Sequence, residues 1–257
     1  MIRLVHLLKR NPDMSLDEFN RWLRDQHAPL VAYHQASLGI LRHVQTHRNE
    51  STRTLEQQTS EARGGIQPPY DALAETWWDS QQDIEDILSS SAYREILAHE
   101  RLGVDQHSSP LWLAEEYPQV ATQPQRVVAA SKSGIVKIHF AINHVPSMSL
   151  AEGQRYWLTR HGPLIRSMAP ARGMAAYTQV HRVDSPLSDK LRALHGSEAE
   201  PYMGHAEAWF DRSVARTGAE AVAAAARAIE DEKVFIDLPR STCLFGKELV
   251  FVDRDWL

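Results

Sequence analysis

The chain has a single cysteine, Cys243, so it can form neither an intramolecular disulfide nor a multi-cysteine metal site. Such usage fits a reducing compartment, and a cytoplasmic protein is the expectation. Basic charge is not in excess: 28 Lys and Arg stand against 33 Asp and Glu, a net charge of −5. A nucleic-acid binder normally carries the opposite balance, so no nucleic-acid partner is expected. Long apolar runs are missing too. The alanine-rich stretch Ala219 to Ala228 is interrupted by Glu220 and Arg227, whereas a membrane-spanning helix needs about 20 apolar residues. At the N-terminus Lys9 and Arg10 follow the apolar segment, the reverse of a signal peptide. No membrane partner is expected. GxSxG, P-loop, GxGxxG and HExxH motifs are absent, which removes local support for serine hydrolase, nucleotide-binding and zincin readings.

What is present is a folded composition and a repeat. Of 257 residues, 43% are hydrophobic and 24% charged, ordinary for a globular chain. Met14-Ser15-Leu16, His27-Ala28-Pro29-Leu30 and Gln45-Thr46-His47-Arg48 recur as Met148-Ser149-Leu150, His161-Gly162-Pro163-Leu164 and Gln179-Val180-His181-Arg182, all at an offset of 134. Beyond the loops after His47 and His181 the offset becomes 132, and Ala74-Glu75-Thr76-Trp77 recurs as Ala206-Glu207-Ala208-Trp209. A period of half the chain predicts tandem units: 1–117, a Pro- and Gln-rich linker over 118–133, and 134–257.

Each unit reads β-α-β-β-α-β, the ferredoxin-like order. Strands are predicted over Leu4–Lys9, Ile40–Arg48, Asp71–Trp78 and Leu111–Tyr117, and over Ile135–Ile142, Met174–Val183, Met203–Phe210 and Cys243–Val252. Ser15 with Glu18, and Ser149 with Glu152, are capping boxes that start the first helix of each unit. Pro29 and Pro163 predict a break or kink in it. A long polar loop is expected after the second strand of each unit. Each four-stranded sheet has one bare face, and two units can cover both in a single-chain α+β barrel, so either a monomer or a homodimer is compatible.

The residues at these positions resemble the EthD family of the dimeric α+β barrel superfamily. The carriers are the opening strand, the Met-Ser-Leu helix start with Phe19 and Trp22, His27-Ala28-Pro29-Leu30, and Tyr156-Trp157-Leu158-Thr159-Arg160-His161-Gly162-Pro163. Glu100, Asp105, Glu232 and Asp237 fit the late acidic positions. Leu23 stands where the pattern prefers Trp, and Gly153 where it prefers Phe. The resemblance implies an α+β barrel. Relatives include cofactor-independent lyases, cyclases and dehydratases of polyketide-like aromatics and cofactor-free monooxygenases; more distant barrels bind haem.

Chemistry is expected from histidine, of which there are 13. His27 and His161 end the first helix of each unit, and histidine exchanges protons near neutral pH. His43, Gln45 and His47 alternate along one strand and share a face, as do Tyr177, Gln179 and His181. His27, His161, His47 and His181 are the candidate catalytic residues. His43, Gln45, Tyr177, Gln179, Trp22, Tyr156, Trp157 and Arg42 are the candidate substrate-binding residues. No metal site is expected: His43 and His47 lie about 13 Å apart along a strand, too far to share an ion. Cys243 reads as a core residue. Glu75 and Glu207 recur on the third strand, where a carboxylate can orient a histidine.

The leading reading is a cofactor-independent lyase, cyclase or dehydratase using histidine acid–base catalysis on a small aromatic or polyketide-like carbonyl compound. The alternatives are a haem-binding barrel and a non-catalytic small-molecule binder of a catabolic pathway, with a cofactor-free monooxygenase as a variant of the enzyme reading. Fusion frees the halves to diverge, so two unequal clefts are expected.

Overall fold

In the computed structural model, which describes residues 1–120, 127–213 and 218–254, the first unit runs β1 (Ile2–Leu8), α1 (Leu16–Trp22), α2 (Ala28–Tyr33), β2 (Arg42–His47), α3 (Arg53–Ala62), β3 (Ala72–Trp78), α4 (Gln81–Ile87), α5 (Ser91–Gly103) and β4 (Leu111–Val120). The second runs β5 (Ile135–Ile142), α6 (Leu150–Tyr156), α7 (Gly162–Met168), β6 (Met174–Val183), α8 (Pro186–His195), β7 (Gly204–Asp211), α9 (Ala219–Phe235) and β8 (Thr242–Asp253). The eight strands close into one antiparallel barrel in the order β1-β3-β2-β8-β5-β7-β6-β4. Each unit keeps its ferredoxin-like order, and the seams are β2 with β8 and β4 with β6. Closure leaves no sheet edge unpaired.

Both capping boxes form. The helix does not break at Pro29 or Pro163. A π-helical turn, Leu23–His27 or Trp157–His161, joins α1 to α2 and α6 to α7. Ala28 N–H reaches Leu23 O, and Gly162 N–H reaches Trp157 O, five residues back. The widened turn carries the chain past a residue that has no N–H to give. The polar loops after β2 and β6 contain helices α3 and α8, which the sequence reading left irregular. The signals for α8 are local: Ser185 caps it, Pro186 opens it, and Gly196 at φ 73° closes it. β4 runs through Pro118 to Val120, into the stretch read as linker; residues 121–126 of that stretch lie outside the described residues.

Strand alternation sends one set of side chains into the barrel and the other toward the helices. Outward positions pack in two large clusters, one per unit, exemplified by Leu111 and Ile84 in the first and Phe140 and Phe235 in the second. Cys243 joins the second cluster, and burial pushes its thiol up to about 12. Among the described residues, no helix is long and apolar enough to cross a membrane.

Candidate functional site

Between the helices of the first unit and the outer face of its sheet lies a cavity of about 50 Å³, room for a few water molecules or a small ligand. Its polar wall is His6, His27, His43, Tyr93, Glu100 and His195. Glu100 sits at the centre. Its Oε1 is 2.9 Å from His195 Nδ1, and its Oε2 is 3.5 Å from His6 Nδ1 and 4.0 Å from His27 Nε2. Burial alone would raise the Glu100 carboxyl; His195 and His6 beside it hold it well below the usual carboxylate range. Tyr93 Oη lies 2.9 Å from His195 Nε2, and burial followed by Glu100 drives the phenol far above its usual value, so it keeps its proton. The ionised Glu100 carboxylate can only accept, so His195 carries a proton on Nδ1, toward Glu100. His6 is the exception in this chain of contacts. Its Nε2 is buried and has no hydrogen-bond partner.

Two of the sequence candidates line this cavity. His27 ends the π turn, stacks on Trp22 and pairs with His99 through Nδ1 at 3.2 Å. Burial lowers it to about 4. His43 bonds Thr76 through Nδ1 at 2.8 Å and approaches Gln45 through Nε2 at 3.3 Å. Gln45 passes the chain to His47 at 2.8 Å, away from the cavity. Arg42 pairs with Asp253 at 3.4 Å and lies over the Trp77 ring. His6, Tyr93, Glu100 and His195 were not among the candidates.

His195 belongs to the other unit. It ends α8, which leaves the second unit and packs on β4 of the first. The mirror exchange also occurs: α3 packs on β8, and Arg63 beyond it grips Glu232 with Nη2 and Nε, both at 2.8 Å. Glu232 is the counterpart of Glu100 at the 132 offset.

The second site is lined by different residues. Phe140 stands where His6 does, and Arg63 lies over its ring at 4.9 Å. Trp157, in place of Leu23, stacks on His181 and donates from Nε1 to Tyr177 OH at 2.9 Å. Gln179 donates to Trp157 O at 2.9 Å, and its Oε1 is 3.1 Å from His181 Nε2. His161 pairs through Nδ1 with Asp231 at 2.7 Å, the residue that replaces His99, and Tyr156 OH donates to the same carboxylate at 2.9 Å. Phe140, Ile165, Met174, Tyr177 and Phe210 belong to one packed cluster.

A family model described as "EthD domain" matches residues 11–106 and 145–239. No curated protein matches the chain. Among solved structures, a candidate monooxygenase from Lactobacillus acidophilus NCFM is similar, with 9% identity over 98% of this chain and 96% of that one and a TM-score of 0.49. A candidate monooxygenase from Fusobacterium nucleatum subsp. nucleatum ATCC 25586 shares 6% identity over 97% and 92% of the two chains, with a TM-score of 0.46. A candidate chlorite dismutase shares 10% identity over 96% and 94%, with a TM-score of 0.47.

Proposed function

For a chain that belongs to the EthD family, we propose a proton-transfer enzyme of the lyase, cyclase or dehydratase class, acting without a bound cofactor on a small carbonyl compound in the first-unit cavity. The observation that carries this is the buried Glu100 carboxylate flanked by two imidazoles, one of which, His6, presents an unpartnered nitrogen at the cavity wall. Glu100 orients His6 through Nδ1 and leaves Nε2 basic, the logic of a carboxylate–histidine pair. His6 Nε2 takes the proton next to the carbonyl, and negative charge develops on the carbonyl oxygen. The neutral His27 imidazole polarises that oxygen, since burial keeps the ring uncharged. Tyr93 and His195 fix Glu100 rather than meet substrate.

The cavity volume narrows the substrate. About 50 Å³ suits a compound of few heavy atoms, whereas pockets for drug-sized ligands run to roughly 300–1,000 Å³. A fused polyketide-like aromatic is too large for this cavity. A haem macrocycle does not fit either, so no step runs through one.

The test is exchange of α-hydrogens of small ketones, acetone and butanone, for deuterium in D2O, followed by NMR. The expected result is wild-type exchange well above that of free imidazole at equal concentration, falling about 10²–10⁴-fold in His6→Gln. Wild-type exchange no faster than imidazole across this panel would sink the reading.

A further inference from the structure

The barrel interior, on the opposite face of the sheet from the cavity, holds a second set of chemistry-bearing groups. Four carboxylates and two cations repeat across the units: Glu75 with Glu207, Glu116 with Glu248, and Arg3 with Lys137, each pair at the offset that relates its elements. Arg3 lies 2.7 Å from Glu75, 3.1 Å from Glu207 and 3.7 Å from Glu116. Lys137 lies 2.6 Å from Glu207, 3.0 Å from Glu248 and 3.7 Å from Glu75. Glu116 reaches solvent, with 35% of its side chain exposed, so three buried carboxylates face two fixed cations, which leaves one negative charge unmatched in a largely dry interior. That imbalance is costly unless further positive charge is present.

Two histidines break the repeat at this place. His139 stands opposite Val5 of the first unit, and His205 opposite Leu73. Both are buried. His139 Nδ1 and His205 Nε2 form no hydrogen bond, and neither does Glu75 Oε2. Yet His205 Nε2 is 3.2 Å from Glu75 Oε1 and 3.6 Å from Glu207 Oε1, and His139 Nδ1 is 3.6 Å from Glu207 Oε1. Ligand atoms 2.0–2.2 Å from a tetrahedral ion stand about 3.3–3.6 Å from one another. One atom from each of Glu75, His139, His205 and Glu207 lies within 4.8 Å of all the others. The remaining nitrogen of His139 is hydrogen-bonded to Thr46 Oγ1 at 3.0 Å, the outer contact that orients a metal-bound imidazole.

We propose that Glu75, His139, His205 and Glu207 bind a divalent transition-metal ion of the zinc class in the barrel interior. Imidazole with carboxylate suits zinc better than calcium or magnesium, which prefer all-oxygen shells. A divalent ion also supplies the positive charge that a buried set with one more carboxylate than cation lacks. Burial on all sides makes the ion structural rather than catalytic.

The test uses the full chain expressed with zinc supplied and passed through EDTA. Metal analysis is expected to give about one zinc per chain, and zinc-edge X-ray absorption two imidazoles plus oxygen ligands and no sulfur. His139→Val and His205→Leu install the first unit's residues and are expected to cut zinc more than tenfold, while His195→Gln retains it. A wild-type protein without zinc overturns the proposal. So does zinc lost in His195→Gln but kept in His205→Leu, which would place the ion at His6, Glu100 and His195. If the two interior variants fail to fold, the wild-type metal content and absorption spectrum decide alone.

Discussion

The two helix–sheet sites start from one sequence pattern and arrive at opposite states. Around Glu100 the partners are His6, His27 and His195, and a cavity remains. Around Glu232 the partner is Arg63, which lies over Phe140, and His161 is drawn to Asp231. A lone carboxylate between imidazoles can pass protons. The same carboxylate held by an arginine has no proton to exchange, because guanidinium stays charged. On the proposed reading, the difference means that one unit carries the chemistry while the other ties its central carboxylate to an arginine.

Substitutions at the paired positions sharpen that contrast. Glu100→Gln is expected to lower ketone exchange about 10²–10⁴-fold with little loss of fold, read by the same NMR assay and by circular dichroism. Glu232→Ala is expected to do the reverse. Exchange persists, while stability falls by about 3–5 kcal/mol because Arg63 is left buried and unpaired, measured by urea unfolding. Equal loss of activity in both variants would erase the distinction between the sites. Trp157→Leu installs the first unit's residue in the second. It removes the stack on His181 and the bond to Tyr177, and a loss of about 2–4 kcal/mol is expected from the cavity left.

Acid acts on both units and has the smallest effect per group. Burial lowers His27, His47 and His181 to about 4. They are uncharged when folded, whereas in the unfolded chain they take up protons below about 6.5. The unfolded state therefore binds more protons between about pH 6.5 and 4, and stability falls as pH drops through that window. The loss should reach roughly 1–3 kcal/mol per histidine, read from urea midpoints across the range. A flat profile would mean that these rings are already charged in the fold.

Much of the fold was legible because the offset tied two weak readings into one strong one. Ile135–Ile142 and Met174–Val183 match the strands residue for residue, and both capping boxes form. The polar loops were misread because α3 buries little apolar surface, and α8 offers only Leu187 and Leu191 as a core-facing pair. That error hid the site. His195 and Arg63 stand at equivalent positions, 132 apart, but differ in residue type, so a search for recurring residues could not point to them, and Glu100 lies 95 positions from its partner. The interior set was hidden for a related reason. Its ligands come from three strands, Glu75 on β3, His139 on β5, and His205 with Glu207 on β7, so no spacing along a single strand reports the whole set.

The exchange of α3 and α8 has a consequence for synthesis. A chain emerging from the ribosome completes Glu100 and the rest of the first sheet long before residue 195 is made. Domains usually fold as they appear, but here the first unit must wait, its sheet edges open at β2 and β4 and its central carboxylate lacking one imidazole. The order of translation thus leaves the first half unfinished until the second half is delivered.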